Sequence, residues 1–320
     1  MKKIAGDKKN IRNLVNNYLI IIGILILVIY TAIVRSEFRS GENVINMIRQ
    51  LCPLGMVALG MTIVIIGGYI DLSVAGMFSM IGIVTTSMLN VTSVPVAVIV
   101  GLLTGVAGGA LNGAILNCCG ARDDADALFI TYGMSTVYGA LALLISNGTT
   151  INVPTNSSFL VLGKGSIGAI PIAILIFFAG VVILQFIMKK TILGRKVHLS
   201  GGNPVAARLN GVSISKSVMF MYIMTGLMTA IGAIILISRV TSASPVLGKN
   251  YETNAIMSVV IGGTTLKGGH GSIVNTVFGV MLITIMANAL NMLGVSANAQ
   301  SAAKGLILVA AIWLDSRKQR

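Results

Sequence analysis

Charged side chains are scarce in this sequence, so the few that could do chemistry stand out. There are nine Asp and Glu among 320 residues, and Asp71 stands in "IIGGYIDLSVAG" between two long apolar runs. A carboxylate in lipid is typically kept to bind a coupling proton or ion, against an insertion cost of roughly 2.5–3.5 kcal/mol. Asp71, Glu252 and Asp315 nevertheless fall at the ends of apolar segments, and only Lys304 lies deeper. That placement disfavours an ion- or proton-coupled carrier or channel, which stays as the alternative. Asp71 is left as a helix cap or a gate hinge. As a cap it accepts from backbone N–H groups near Ser73 and Val74, at the positive end of the next helix.

The other reactive groups form no constellation. His198 and His270 are far apart in the sequence, with no nucleophile–base pairing to argue from. "GTTLKGGHGS" has the glycine spacing of a phosphate loop at Gly263 and Gly268. Gly269 and His270 occupy the positions that need Lys and Ser/Thr. The chain is therefore expected to bind no ATP and to be no enzyme. Asp123, Asp124 and Asp126 lie beside Arg122, match no calcium loop and have no His nearby, so they are expected to be solvated. Neither metal nor cofactor is assigned to this chain. Cys52, Cys118 and Cys119 lack metal-ligand spacing and are expected to be small apolar filler.

The elements that position these groups are helices in lipid. Hydrophobic residues make up 55% of the chain and charged residues 10%, with mean hydropathy +0.91. A soluble domain carries about 25% charged residues to solvate its surface. The fold class is all-α, a polytopic helical membrane protein, with ten apolar segments at 15–34, 51–70, 74–91, 94–118, 127–147, 168–188, 217–238, 255–266, 272–293 and 299–314. The eighth is too short for a straight span and rich in glycine, so it is expected to be broken or re-entrant. The net charge of +14 is concentrated in "KKIAGDKKNIR", "KKTILGRK" and "DSRKQR", which flank apolar segments. That is cytoplasmic retention of Lys and Arg, not nucleic-acid binding, and it places both termini inside. The expected organisation is a basic cytoplasmic N-terminus 1–14 leading into a retained signal anchor, one transmembrane domain 15–314 and a basic tail 315–320. "VIIGGYIDLSVAGMFSMIG" (64–82) is echoed by "VVIGGTTLKGGHGSIVNTVFG" (259–279), which suggests a parallel internal repeat. Gly101, Gly105 and Gly109 recur every four residues, a spacing that lets helices approach closely.

The longest polar stretch between apolar segments is 189–217. Within it Asn203 suits an N-cap, Pro204 the first helical position and Gly211 a left-handed C-terminal position, so 204–210 is expected to be a capped two-turn helix. "GRKVHLSGGNPVAARLNG" resembles the cytoplasmic coupling loop of the ribose-type carbohydrate ABC importer permeases; its residues Gly194, Arg195, Gly201, Gly202, Asn203, Pro204, Ala206, Ala207, Arg208 and Gly211 carry the likeness. "GMTIVIIGGYIDLSV" is similar to that family's Gly-Gly-Ile-Asp-Leu-Ser segment, with Gly67, Gly68, Asp71 and Ser73. "LNGAIL" resembles its Asn-Gly element. "YETNAIMSVVIGGTTLKGGHGS" resembles its later segment, with Gly262, Gly263, Gly268 and Gly269. These landmarks occur in the family's order over roughly residues 50–315.

The resemblance implies a membrane subunit of an ABC importer in the cytoplasmic membrane of a bacterium. Two cytoplasmic ATPase subunits, holding ATP and Mg, would drive it, and an extracytoplasmic sugar-binding protein would deliver a monosaccharide. A second permease copy or a paralogue would complete the pathway. The glycines and Asp71 would form gates or helix breaks. Asn112, Thr131, Tyr132, Glu252, Asn275, Asn288 and Asn291 would either line a sugar route or bond helix to helix. The sequence departs from the family at Val205, which stands in place of a Glu, at Asn254, where an acid is common, and at Lys267.

Overall fold

The structure, a computed structural model, describes residues 22–120, 124–154 and 157–318. The basic residues of 1–14, Arg122 and Asp123 lie outside the described residues. The helices are α1 (Ile22–Val34), α2 (Gly41–Ile66), α3 (Val74–Leu89), α4 (Val94–Cys118) and α5 (Asp124–Ser146). After a short α6 (Val161–Lys164) come α7 (Ile172–Lys190), α8 (Ile192–Gly202), α9 (Pro204–Leu209) and α10 (Ile214–Val240). The series ends with α11 (Tyr251–Ile261), α12 (Ile273–Met292) and α13 (Ala297–Lys318). Six of them (α2, α4, α5, α7, α10 and α12) are long and apolar enough to cross a membrane, and the protein is a helical membrane protein.

Packing divides the described residues into two units. Ile48–Val280 form the larger one. Its central post is α10, whose most apolar stretch is 72% buried, against 17% for α5, so α5 turns most of its apolar surface outward. The α4–α10 contact depends on small residues: a side chain on Gly105 would strike the Gly226 carbonyl, and one on Gly226 would strike the Gly105 carbonyl. The glycine recurrence in α4 thus does the packing its spacing predicts. Cys52, Met56, Leu59, Phe177, Met221 and Tyr222 gather in the apolar core. Cys52 fits as filler, whereas Cys118 and Cys119 are exposed at the end of α4, where hydropathy alone hides the solvated terminus. Strand β1 (Ile151–Asn152) pairs antiparallel with β4 (Ser242–Ala243), and β2 (Ser166–Ile167) with β3 (Ile170–Pro171). Beside the first pair, Ser238 Oγ donates to the Phe159 carbonyl at 2.7 Å and accepts from Gly163 N–H at 2.8 Å.

The smaller unit holds the described residues up to Met47 and those from Met281 onward. Asn43 Nδ2 donates to Asn288 Oδ1 at 3.1 Å, and Asn288 Nδ2 returns a bond to Asn43 Oδ1 at 3.0 Å. Such an amide pair satisfies two buried polar groups at once.

Two elements differ from the sequence reading, and a third is as short as it predicts. α2 begins at Gly41, not 51, because Glu42, Asn43 and Arg49 depress hydropathy without breaking the helix. The stretch after 190 contains a second helix, α8, ahead of the expected capped one. The eighth apolar segment is an 11-residue helix, about 16 Å long at 1.5 Å per residue. That is short of a hydrocarbon core of roughly 30 Å.

Candidate functional site

Two helices of the larger unit stop with the same turn. At the end of α2, Gly68 takes φ +82°, and Tyr69 N–H closes back on the Val64 carbonyl at 3.1 Å. At the end of α11, Gly263 takes φ +86°, and Thr264 N–H closes on the Val259 carbonyl at 3.2 Å. A left-handed residue that satisfies the last helical carbonyls in this way is most cheaply a glycine.

Beyond the first turn, residues 69–73 are held by side chains. Asp71 lies between the end of α2 and the start of α3, and it is fully buried. Its Oδ1 accepts from Ser73 N–H at 2.9 Å and from Ser73 Oγ at 2.6 Å. Ser73 Oγ accepts in turn from Asn112 Nδ2 of α4 at 2.6 Å. Tyr138 Oη of α5 lies 2.8 Å from Asn112 Oδ1 and 2.9 Å from the Gly108 carbonyl, sharing one proton between them. Thr131 Oγ1 accepts from Leu72 N–H at 3.0 Å, and Tyr222 Oη of α10 donates to the Ile70 carbonyl at 3.2 Å. Asp71 Oδ2 has no hydrogen-bond partner among the described residues.

Beyond the second turn, residues 264–272 meet α2 and α8 mainly through backbone, and Thr265 Oγ1 donates to the Gly268 carbonyl at 3.1 Å within the segment. Gly269 N–H donates to the Ile66 carbonyl, the last of α2, at 2.8 Å. The Gly269 carbonyl accepts from His198 Nδ1 of α8 at 3.0 Å. A Cβ on Gly268 would sit 2.7 Å from Gly68 Cα, and one on Gly269 would sit 2.7 Å from Gly202 Cα. A Cβ on Gly201 would strike the Ile66 carbonyl. Three chain segments therefore meet backbone to backbone at these glycines: the end of α2, the end of α8 and the α11–α12 connection.

α8 leads from that junction to α9. Thr191 Oγ1 caps α8 by accepting from Gly194 N–H at 3.4 Å, and Val197 and Ser200 are buried while Arg195 is exposed. Asn203 Oδ1 caps α9 by accepting from Ala206 N–H at 2.9 Å, and Pro204 occupies its first position. Gly211, at φ +77°, ends it, with Val212 N–H closing on the Ala207 carbonyl at 3.0 Å. Ala207 is buried, whereas Arg208, Val205 and Leu209 are exposed, the last two at 66% and 84%. One turn apart, Val205 and Leu209 share a face. Under α9 a cleft of about 510 Å³ is lined by Arg208, Ser213, Ser215, Asn117 and Leu116 and reaches Tyr69 of the first break.

Residues 43–312 match the protein family described as "Branched-chain amino acid transport system / permease component". The chain belongs to this permease family. It is 36% identical over 299 residues to the ribose import permease protein RbsC of Bacillus subtilis (strain 168), covering 93% of this chain and 92% of that one. It is 34% identical over 306 residues to the L-arabinose transport system permease protein AraH of Escherichia coli (strain K12), covering 95% and 92%. The ribose import permease protein RbsC of the same strain is 32% identical over 303 residues, covering 93% of each chain. No solved structure matches significantly.

In this permease the residues singled out from sequence separate into groups. Gly67, Gly68, Asp71 and Ser73 surround the first break, with Asn112 and Thr131 bonded to it. Gly262, Gly263, Gly268 and Gly269 form the second, joined by Gly201 and Gly202. Asn288 is committed to Asn43, Tyr132 is 63% exposed, and Asn275 and Asn291 are also exposed. Sequence reasoning missed Tyr138 and Tyr222, whose signal is a phenol inside an apolar helix beside small residues, and the bond of His198 to Gly269. Among the described residues no cluster of His, Cys, Asp or Glu could hold a metal ion.

Proposed function

We propose that this permease is the membrane-spanning subunit of a monosaccharide ABC importer in a bacterial cytoplasmic membrane, working with separate ATPase subunits and an extracytoplasmic sugar-binding protein. The observation that carries the reading is α8–α9: two end-capped helices that expose Val205 and Leu209 outward and abut both helix breaks inward. An apolar pair on a rigid two-turn helix suits insertion into a cleft of an ATPase. Val205 would supply by apolar contact what a Glu supplies elsewhere in the family. ATP and Mg would reside on that partner, and a second copy or a paralogue would complete the pathway.

The described helices support ten crossings within one permease domain: α1 to α5, α7, α10, the short α11, α12 and α13. With this order α8 and α9 lie on the same side as both termini, the cytoplasmic side by the Lys and Arg distribution. The shared turn at Gly68 and Gly263 supports a parallel repeat. Relatives named for ribose and L-arabinose import support a pentose-sized sugar. Glu252 Oε2 and Asn254 Oδ1 are buried without a partner among the described residues, so they have acceptor capacity for sugar hydroxyls.

The test is reconstitution in proteoliposomes with a candidate ABC ATPase and a candidate sugar-binding protein from the same organism. ATP-dependent uptake of labelled ribose or arabinose is expected, with no ATP hydrolysis by the permease alone. Uptake that proceeds without the ATPase would overturn the importer reading in favour of a secondary carrier.

A further inference from the structure

Gly269 is bonded from both sides. Its N–H holds the last carbonyl of α2, and its carbonyl is held by His198 of α8. A carbonyl oxygen only accepts, so the His198 ring carries its proton on Nδ1. The bond runs between residues 71 positions apart and joins a helix on the polar stretch to a helix break. Beside it, Gly201 lies so close to the Ile66 carbonyl and to Gly269 N that a Cβ would collide with both ends of the α2–Gly269 hydrogen bond. Backbone-to-backbone contact of this kind leaves no rotamer to absorb a displacement. Among the described residues, the side-chain hydrogen bonds of α9 stay local: Asn203 Oδ1 accepts from Ala206 N–H, and Asn210 Nδ2 donates to the Ala206 carbonyl at 2.8 Å.

We propose that His198, acting with Gly201 and Gly269, is the positioning residue that makes α8, the end of α2 and the α11–α12 connection move as one body when α9 is displaced. The inference rests on the importer reading, because the displacement comes from an ATPase seated on α9. His198 touches neither sugar nor nucleotide. Its imidazole keeps the α11–α12 connection in step with α8, so closure of the ATPase reaches both breaks together. Removing it leaves α9 free to move without carrying the second break along, which makes ATP hydrolysis unproductive.

The test uses the full complex of permease, ATPase and binding protein in proteoliposomes, reading sugar transported per ATP hydrolysed. His198→Ala is expected to leave assembly and ATP hydrolysis intact and to lower that ratio roughly three- to tenfold, the range that one hydrogen bond supports. His198→Asn, whose amide nitrogen can donate where Nδ1 does, is expected to restore most of it. A ratio unchanged in His198→Ala would overturn the linkage while leaving the importer reading standing. Absence of ATP-dependent uptake in the wild-type complex would overturn both.

A second readout does not depend on activity. Spin labels replacing Arg195 and Lys267, both exposed, report the distance from α8 to the α11–α12 connection by pulsed dipolar spectroscopy. The distance is expected to stay the same with and without ATP in the otherwise wild-type complex and to broaden with His198→Ala. An ATP-dependent change in the otherwise wild-type complex would show that the two segments move separately, and the proposal would fail.

Discussion

At the ends of α2 and α11 the backbone makes the same turn, with a glycine at φ +82° in one and +86° in the other. The segments beyond the two turns are held differently. The first break is tied by polar side chains to α4, α5 and α10: Asn112, Tyr138, Thr131 and Tyr222 all reach into residues 69–73 or their partners. The second is tied by glycine backbone to the end of α2 and to α8, with His198 as its one side-chain bond to α8 among the described residues. A side-chain web tolerates small shifts, because each hydroxyl or amide re-aims by rotating. A backbone junction transmits a shift or breaks. One start geometry therefore leads into two differently held segments, one in a side-chain web and one in a backbone junction.

The comparison can be broken at four places. Gly201→Val puts a branched side chain against the Ile66 carbonyl, and overpacking of this kind costs roughly 1–3 kcal/mol. It is expected to abolish uptake in whole cells while immunoblots still find the protein in membranes; near-normal uptake would mean the junction has slack. Asp71→Ala strips the acceptor from Ser73 N–H and Oγ, and unpaired buried groups cost about 1–3 kcal/mol. A lower unfolding midpoint in detergent is expected. Asp71→Asn keeps an acceptor oxygen and is expected to stay near wild type in stability and uptake. If Asn proves as damaging as Ala, the carboxylate charge matters and not its cap. Asn203→Ala removes the cap of α9 at a local cost of about 1 kcal/mol. Its expected signature is weaker stimulation of the ATPase by the binding protein with unchanged thermal stability of the permease. The smallest effect belongs to Tyr138→Phe. It loses one interhelical hydrogen bond, about 0.6 kcal/mol in membrane proteins, and only a slight fall in the detergent midpoint is expected.

Much of the fold was legible because lipid imposes a simple demand on the chain. α4 spans the predicted 94–118, and α3 and α12 lie within a few residues of their predicted limits. The caps of α9 were legible because Asn, Pro and Gly act on their own backbone neighbours. α8 was not, since its first-turn Gly194, terminal Gly-Gly and scattered cations weaken both helix propensity and hydropathy. The junction was legible only in part: the glycines were visible, but nothing in one glycine names another more than a hundred residues away. The cap at Asp71 was legible, but its burial was not, for a related reason. Charge counting locates a residue along a span, whereas its burial depends on α4, α5 and α10 closing around it.

The first break also has an order of assembly written into it. Asp71 meets Ser73 within two residues, but the bond from Asn112 spans 39 positions and the one from Tyr222 to Ile70 spans 152. A ribosome releases these partners one after another, so the anchor is completed only when α10 has been made and inserted. Chains halted before residue 222 would leave the Ile70 carbonyl without its phenol. Pulse-chase of such truncated chains is expected to show faster degradation than chains that include α10, which would make this segment a checkpoint in biogenesis as well as a joint in the finished protein.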